Sequence, residues 1–215
     1  MENINIILQK FCNDLLGFNL KLDGIIGKQS KEAIITCSEW IKAYFLRYGY
    51  DITIPQLISV RKEEDRFDNK YSDYLLYWKN SQIQWAVEAS TRAGHYWVYN
   101  PITYGGITGT AVLAQGQYIN TWRFTHQTRF GFKSLELLQV KPVRIWRDGN
   151  RNLLIDKTIQ QQGMFGINIH TGGISNFVDN WSAGCIVVPS KQWKVLEILD
   201  WYKIGDEITN TLIEI

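Results

Sequence analysis

The chain of 215 residues carries a formal net charge of +2, with 45% hydrophobic and 20% charged residues. This length accommodates one full domain and a small second one, and the composition is that of an ordinary soluble globular protein. The charge gives no electrostatic reason to expect nucleic-acid binding, and no stretch reaches the roughly 18–20 apolar residues of a membrane span. We therefore expect neither a nucleic-acid partner nor membrane insertion.

The first fifty residues show two helical patterns separated by a turn-rich segment. Residues 4–16 place apolar side chains at helical spacing, and Gly17 is a stop signal. Ser30 is a candidate N-cap for a second helix that runs from Lys31 to about Tyr48. The sequence therefore begins with a small helical unit.

The chain has three cysteines, Cys12, Cys37 and Cys185. The odd number leaves at least one thiol outside any disulfide. Cys12 and Cys37 fall on the apolar faces of the two predicted helices, where a cysteine packs as a small hydrophobic residue. We expect both in the core, and a disulfide between them is the alternative.

A linker is predicted over residues 51–71, because Pro55 and the charged residues 61–66 favour exposure. Beyond it, short apolar runs bounded by Gly, Pro and Asn are typical of strands. The predicted strands cover residues 74–78, 82–89, 96–99, 110–113, 135–140 and 143–147, and one helix is predicted near residues 191–202. The sequence thus predicts an α+β protein, in which a mostly antiparallel β domain, residues 72–215, follows the helical residues 1–50.

The stretch 167–188 places a histidine and a cysteine at the two ends of one loop. Apolar residues alternate with polar ones up to His170, as in a strand, and a Gly-rich polar loop follows. Cys185 then precedes a second apolar run, residues 186–188. If the two strands pair, the side chains of His170 and Cys185 converge at one end of the sheet.

This arrangement suits nucleophilic catalysis by cysteine. The imidazole of His170 must reach the thiol of Cys185 to take its proton, because the thiolate is the nucleophile. Gly184 allows the backbone to approach a substrate closely, and peptide N–H groups near Cys185 can stabilise an oxyanion. A buried cysteine on a core strand is the alternative interpretation.

His170, fourteen intervening residues and then Cys185 at the end of Ser-Ala-Gly-Cys resemble the signature of L,D-transpeptidase catalytic domains. The resemblance is closest to a divergent branch in phage and bacterial wall-active proteins, and it covers residues 72–190 approximately. Further landmarks of that branch occur in the same order, at 91–94, 109–113, 116–118, Trp122, His126 and 147–150. Ala183 and Val187 depart from the family, which has His and Arg at these two positions.

The resemblance implies a fold of the L,D-transpeptidase type and a set of site residues. Cys185 and His170 are implied as the catalytic pair, with Ser182, Gly184 and Thr171 supporting them around the oxyanion. The substrate-binding residues implied by the same resemblance are His126, Gly172, Gly173, Tyr118 and Trp122. We expect no cofactor and no metal, because the three histidines and three cysteines are scattered and lack the spacing of a zinc site.

Residues 4–50 resemble the three-helix peptidoglycan-binding domain. The similarity rests on the loop 23–27, Asp-Gly-Ile-Ile-Gly, and on the short motifs at 8–10, 16–18 and 33–34. Its glycines adopt turns that other residues avoid. The resemblance implies that Asp23, Gly24 and Gly27 bind glycan, in a module that tethers the catalytic domain to the wall.

Residues 148–156 place oxygen-bearing side chains at alternate positions, as a calcium-binding loop does. Leu153 and Ile159, however, stand where such loops have Gly and Glu. An Asx-rich turn is therefore favoured over a calcium site.

The expected function is endolysin-like cleavage of the L,D bond in peptidoglycan stem peptides through a Cys185 thioester. A true L,D-transpeptidase that forms cross-links or exchanges D-amino acids is one alternative, and a non-catalytic wall-binding protein is another. No signal peptide is visible at residues 1–4, so we expect synthesis in the cytoplasm and delivery to the wall by a holin or a secretion system. The expected partner is bacterial peptidoglycan, and the expected state is a monomer.

Overall fold

The computed structural model describes residues 3–62, 66–129 and 132–215. Within them the helices are α1 (Ile4–Leu16), α2 (Lys28–Tyr48), α3 (His95–Tyr99) and α4 (Ser190–Ile198). The strands are β1 (Gln56–Arg61), β2 (Asp73–Lys79), β3 (Gln82–Ala89), β4 (Thr103–Tyr104), β5 (Ile107–Thr108), β6 (Thr110–Leu113), β7 (Gly116–Arg129), β8 (Phe132–Gln139), β9 (Val143–Asp148), β10 (Gln160–Gly163), β11 (Ile169–Thr171), β12 (Ile186–Val188) and β13 (Glu207–Glu214). None of the helices in this part of the chain combines the length and hydropathy that a membrane span requires.

An eight-stranded sheet in the order β12-β11-β8-β7-β13-β1-β2-β3 forms the body of the molecule. The pairs β1–β13 and β11–β12 are parallel, and the other neighbours in this sheet are antiparallel. Ser90, directly after β3, exchanges two backbone hydrogen bonds of 2.8 and 2.9 Å with Val187 on β12, so the two ends of the sheet meet at this point. The described chain is mostly antiparallel β structure, as predicted. A smaller sheet, β10-β9-β6, carries one wall of the candidate site.

Alternating side chains of β1 and β2 are buried on both faces of the sheet. Ile58 and Leu76 point to the helices, where they share a core with Phe11 of α1 and Phe45 of α2. Leu57, Leu75 and Tyr77 point to a second core that includes residues of α4 and β7. The helices are therefore packed on the sheet, and their apolar faces are covered by it.

The segment predicted as a linker contains a central strand, so this part of the prediction is wrong. All six residues of β1, Gln56–Arg61, are buried between β13 and β2. Because both faces are covered, β1 lacks the apolar–polar alternation that marks a half-buried strand. The charged residues 63–65 of the predicted linker lie outside the described residues. The boundaries of the helical and β domains stay a prediction.

Several local predictions can be compared with the elements. The helix α1 ends at Gly17 in the left-handed region (φ 69°), as predicted, and Cys12 and Cys37 are fully buried with no disulfide. The second helix begins at Lys28 with Gly27 as its N-cap, so Ser30 lies inside it. Residues 96–99, predicted as a strand, belong to α3. The described residues before β1 form two helices where three were expected.

Candidate active site

The parallel pair β11–β12 positions the histidine and the cysteine. Ile169 lies opposite Ile186, and Asn168 accepts a backbone hydrogen bond from Ile186 at 2.9 Å. Ile169 and Ile186 point into the buried core, so the residues next to each of them point to the opposite face. His170 and Cys185 therefore share one face of neighbouring strands. The two strands pair, which is the condition on which the expected convergence of His170 and Cys185 depends.

The imidazole of His170 is fixed by a backbone carbonyl. His170 is buried, and its Nδ1 lies 2.7 Å from the carbonyl oxygen of Thr171. A carbonyl oxygen only accepts hydrogen bonds, so Nδ1 carries the proton and Nε2 holds the basic lone pair. Thr171 supports the pair through its backbone, and His170 is held in the tautomer that a general base requires.

Cys185 is half-buried, and backbone groups contact its sulfur. The Asn168 N–H donates to Sγ at 3.4 Å, and the thiol lies 3.4 Å from the Gly166 carbonyl oxygen. Donation from a peptide N–H favours the thiolate over the thiol, because it stabilises the negative charge. The Gly166 carbonyl accepts from the protonated thiol, so the two contacts favour opposite protonation states and together fix the position of the sulfur.

The turn before Cys185 is braced by Ser182. The fully buried Ser182 hydroxyl donates to the Cys185 carbonyl at 2.7 Å and accepts from the Gly184 N–H at 3.1 Å. Gly184 has φ +134°, and a Cβ there would lie 2.5 Å from the Ala111 carbonyl oxygen. Only glycine fits this position. Because its N–H is bonded within the turn, Gly184 supports the backbone of Cys185, and its predicted role around the oxyanion stays a prediction.

We expect Ser182→Ala to lower the free energy of unfolding by about 1–3 kcal/mol, because it leaves two buried backbone groups without their partner. Urea unfolding monitored by circular dichroism measures this change. Ser175→Ala is the matched control, since the exposed Ser175 hydroxyl also makes two bonds, to the N–H and carbonyl of Phe177. Equal losses in the two variants would contradict the bracing role of Ser182.

Cys185 lines a cleft with about 490 Å³ of empty space. Its walls include three aromatic side chains and one cation. They contain Trp97 of α3, Tyr104 of the β4–β5 hairpin, Arg147 of β9 and Phe165. The Tyr104 hydroxyl donates to the Met164 carbonyl at 3.1 Å, and its ring meets Phe165 edge-on at 5.4 Å between centroids. The cleft is open to solvent beside Cys185.

His126 does not belong to this cleft. Phe124, Leu137 and Ile169 form one row across β7, β8 and β11. His126 lies two residues from Phe124 and so points to the same face as Ile169, opposite to His170. It is exposed there, and its predicted contact with substrate beside Cys185 is wrong for this structure.

Tyr118 and Trp122 belong to the core, which corrects their predicted role in substrate binding. Trp122 is fully buried and donates its indole N–H to the Ile167 carbonyl at 2.7 Å. The Tyr118 hydroxyl donates to the Ala114 carbonyl at 2.7 Å, and burial raises the pKa of Tyr118 to about 12. Trp122 instead anchors the chain three residues before His170.

Gly172 and Gly173 line a different cavity. They are buried beside the Tyr71 hydroxyl and the Trp181 indole, where a Cβ would clash with either group. The cavity that they line also contains Trp193, on the side of α4. These glycines allow close packing after His170, and the structure does not bring them to Cys185.

The loop 23–27 is held against α1 by one amide side chain. Gln9 donates to the Asp23 carboxylate at 3.2 Å and accepts from the Gly24 N–H at 2.9 Å. Gly24 adopts φ +75°, whereas Gly27 has φ −79° and caps α2. The loop has a defined shape, and glycan binding by Asp23, Gly24 and Gly27 stays a prediction.

Within the part of the chain that the structure describes, no group of three His, Cys, Asp or Glu side chains is arranged to hold a metal ion. In the segment 148–156, Asn150 and Asn152 accept from the N–H groups two residues ahead, at 3.1 and 2.8 Å. Asp148 accepts from the Asp156 N–H at 2.7 Å. These bonds form the Asx-rich turn that the sequence favours.

A search against protein-family models found no match to this chain, and neither did a search of curated proteins. Among solved structures, the chain is similar to the L,D-transpeptidase from Xylanimonas cellulosilytica DSM 15894. That similarity covers 99% of this chain and 94% of the other, at 17% identity and a TM-score of 0.37. Both values are too low to assign a family or a function to this chain.

Proposed function

We propose that this chain is a cysteine enzyme that cleaves the L,D-peptide bond of peptidoglycan stem peptides at the cell wall. The observation that carries the proposal is the 2.7 Å bond from His170 Nδ1 to the Thr171 carbonyl. It leaves Nε2 as the base, on the face of the sheet that also carries Cys185. The resemblance of the His170–Cys185 motif to L,D-transpeptidases supports the choice of substrate.

The reaction has two halves. Nε2 of His170 takes the thiol proton, and the Cys185 sulfur attacks the carbonyl carbon between the diamino acid and D-alanine. The tetrahedral intermediate collapses, the C–N bond breaks, and the imidazolium returns the proton to the leaving amine. Water then attacks the thioester with His170 as base, and this step releases the peptide carboxylate and restores the thiol.

We favour hydrolysis over transfer because two positions differ from the resembling family. Val187, where an Arg is usual, is fully buried and lies opposite His170 in the strand register, so it contacts no substrate. Ala183, where a His is usual, lines the cleft with a single methyl group. Fewer polar contacts to a second peptide favour water as the acceptor of the acyl group.

The test is mass spectrometry of purified muropeptides, both tetrapeptide monomers and cross-linked dimers, after incubation with the protein. We expect loss of terminal D-alanine or of dimers, with no new cross-links. New cross-links or exchanged D-amino acids would contradict hydrolysis and assign the protein to the transferases. Unchanged muropeptides from several wall types would contradict the enzyme assignment and favour a wall-binding protein.

A further inference from the structure

We propose that Arg147 binds a carboxylate of the substrate in the cleft of Cys185, namely the free α-carboxylate of the D-amino acid that leaves. This inference rests on the proposed function for the identity of the peptide. The positive charge of Arg147, however, is part of the cleft whatever the reaction is. The preference of the cleft for an anionic ligand can therefore be measured without catalysis.

Arg147 is a buried cation without a carboxylate partner. Two other buried arginines are paired with acids, since Arg61 contacts Glu214 at 3.0 Å and Arg92 contacts Asp73 at 2.9 Å. Arg147 is only 6% exposed, yet it forms no ion pair with the residues that the structure describes. A buried charge is costly unless an opposite charge compensates it. A cleft that carries such a cation therefore favours an anionic ligand.

The neighbours of Arg147 hold the guanidinium and leave part of it for a ligand. Nε donates to the Gln161 side chain and Nη1 to the Gly109 carbonyl, each at 3.0 Å. The Phe165 ring lies 5.4 Å from the guanidinium carbon. Nη2 has no hydrogen-bond partner among the described residues, and a guanidinium is planar and pre-organised to bind a carboxylate. Burial lowers the pKa of Arg147, but arginine stays protonated in proteins.

The strand pairing fixes Arg147 relative to Cys185. Arg147 lies opposite Ala111 in the β6–β9 pair, and both residues line the same cleft as Cys185. The Ala111 backbone in turn packs directly against Gly184, the residue before the nucleophile. The Cys185 sulfur and the Arg147 guanidinium thus belong to backbone segments that pack closely through Ala111 and Gly184. One short peptide in the cleft can present its scissile carbonyl to Cys185 and a nearby carboxylate to Arg147.

Binding by the inactive Cys185→Ala protein separates this proposal from the proposed function. Isothermal titration calorimetry compares a stem tetrapeptide that ends in free D-alanine with the same peptide ending in D-alaninamide. We expect the free acid to bind roughly 10- to 100-fold more tightly, as is typical of a charge-assisted hydrogen bond. Adding Arg147→Gln should remove this preference, whereas Arg147→Lys should keep part of it.

Arg144→Gln is the matched control, because Arg144 lies on the same strand but is exposed and does not line the cleft. Its preference for the free acid should equal that of the Cys185→Ala parent. If Arg147→Gln weakened both peptides equally, or if the parent did not distinguish them, the proposal would be overturned. A preference that depends on Arg147 in a protein that cleaves no muropeptide would support the anion site and contradict only the proposed reaction.

Discussion

Replacing Cys185 by alanine is expected to reduce the cleavage of muropeptides at least about 10³-fold, because no other group can form the thioester. Cys185 is half-buried at the edge of an open cleft, so the smaller side chain leaves little strain or cavity. Rates of D-alanine release by Cys185→Ala and by the wild type, at equal concentrations of folded protein, measure this loss. Cys37→Ala is the control, since Cys37 is buried between the helices and the sheet and should keep its rate.

The role of His170 can be separated from that of the sulfur. Near neutral pH, iodoacetamide should modify Cys185 much faster in the wild type than in His170→Gln, because the imidazole takes the thiol proton. Full activity of Cys185→Ala would contradict the mechanism. Equal alkylation rates of Cys185 in the wild type and in His170→Gln would instead show that His170 has no part in activating the thiol.

Asp73→Ala is expected to lower the free energy of unfolding by about 3–5 kcal/mol, which is a large part of the stability of a typical domain. Asp73 is fully buried and receives four hydrogen bonds. One oxygen accepts from the Arg92 guanidinium at 2.9 Å and the Lys62 N–H at 3.1 Å, and the other from the Thr91 N–H and hydroxyl at 2.9 and 2.7 Å. Removing the carboxylate takes away the acceptor of these buried donors and the negative charge beside the Arg92 guanidinium.

Urea unfolding measures this loss, and Glu207→Ala is its control. Glu207 pairs with Arg123 at 2.6 Å, but both side chains are exposed, so its removal should cost less than about 1 kcal/mol. Similar losses in the two variants would contradict the importance of burial. The damage should also reach the site, because Ser90 bonds Val187 and the Gly94 N–H donates to the Ser182 carbonyl at 2.9 Å. Residues 90–94 thus connect Asp73 to the turn before Cys185.

Local features of the fold that depend on a few adjacent residues could be predicted well from the sequence. The apolar runs 74–78 and 82–89 are predicted as strands and form the β2–β3 hairpin, and Asn80 and Ser81 between them adopt φ 52° and 58°, as in a tight turn. Gly17 ends α1 for a reason that is equally local. Helix caps and tight turns depend on a few adjacent residues, so the sequence pattern contains their cause.

The strand β1 shows why other parts were missed. Ile58 pairs with Thr211, about 150 residues later, and with Leu76, and helices cover the remaining face. No property of residues 56–61 alone reveals these partners, because burial on both faces removes the alternation that a strand pattern needs. The adjacent Pro55 and charged residues 61–66 then favoured a linker.

In the candidate site, too, local sequence predicts some residues, whereas others depend on distant parts of the chain. His170 and Cys185 lie at the two ends of one loop. The two short strands that flank this loop therefore indicate that the two side chains lie close together. Arg147 and Trp97 reach the cleft from separate elements, and no local spacing relates them to Cys185. Trp122 and His126 were misplaced for a related reason. The face to which a strand residue points depends on the register with distant strands.

The position of β13 has a consequence for synthesis of the protein. This last strand of the described chain lies between β7 and β1, in the middle of the large sheet. In a nascent chain that has not yet exposed residues 207–214, β7 and β1 each have an unpaired edge that can associate with other chains. The large sheet therefore closes only after residues 207–214 have left the ribosome.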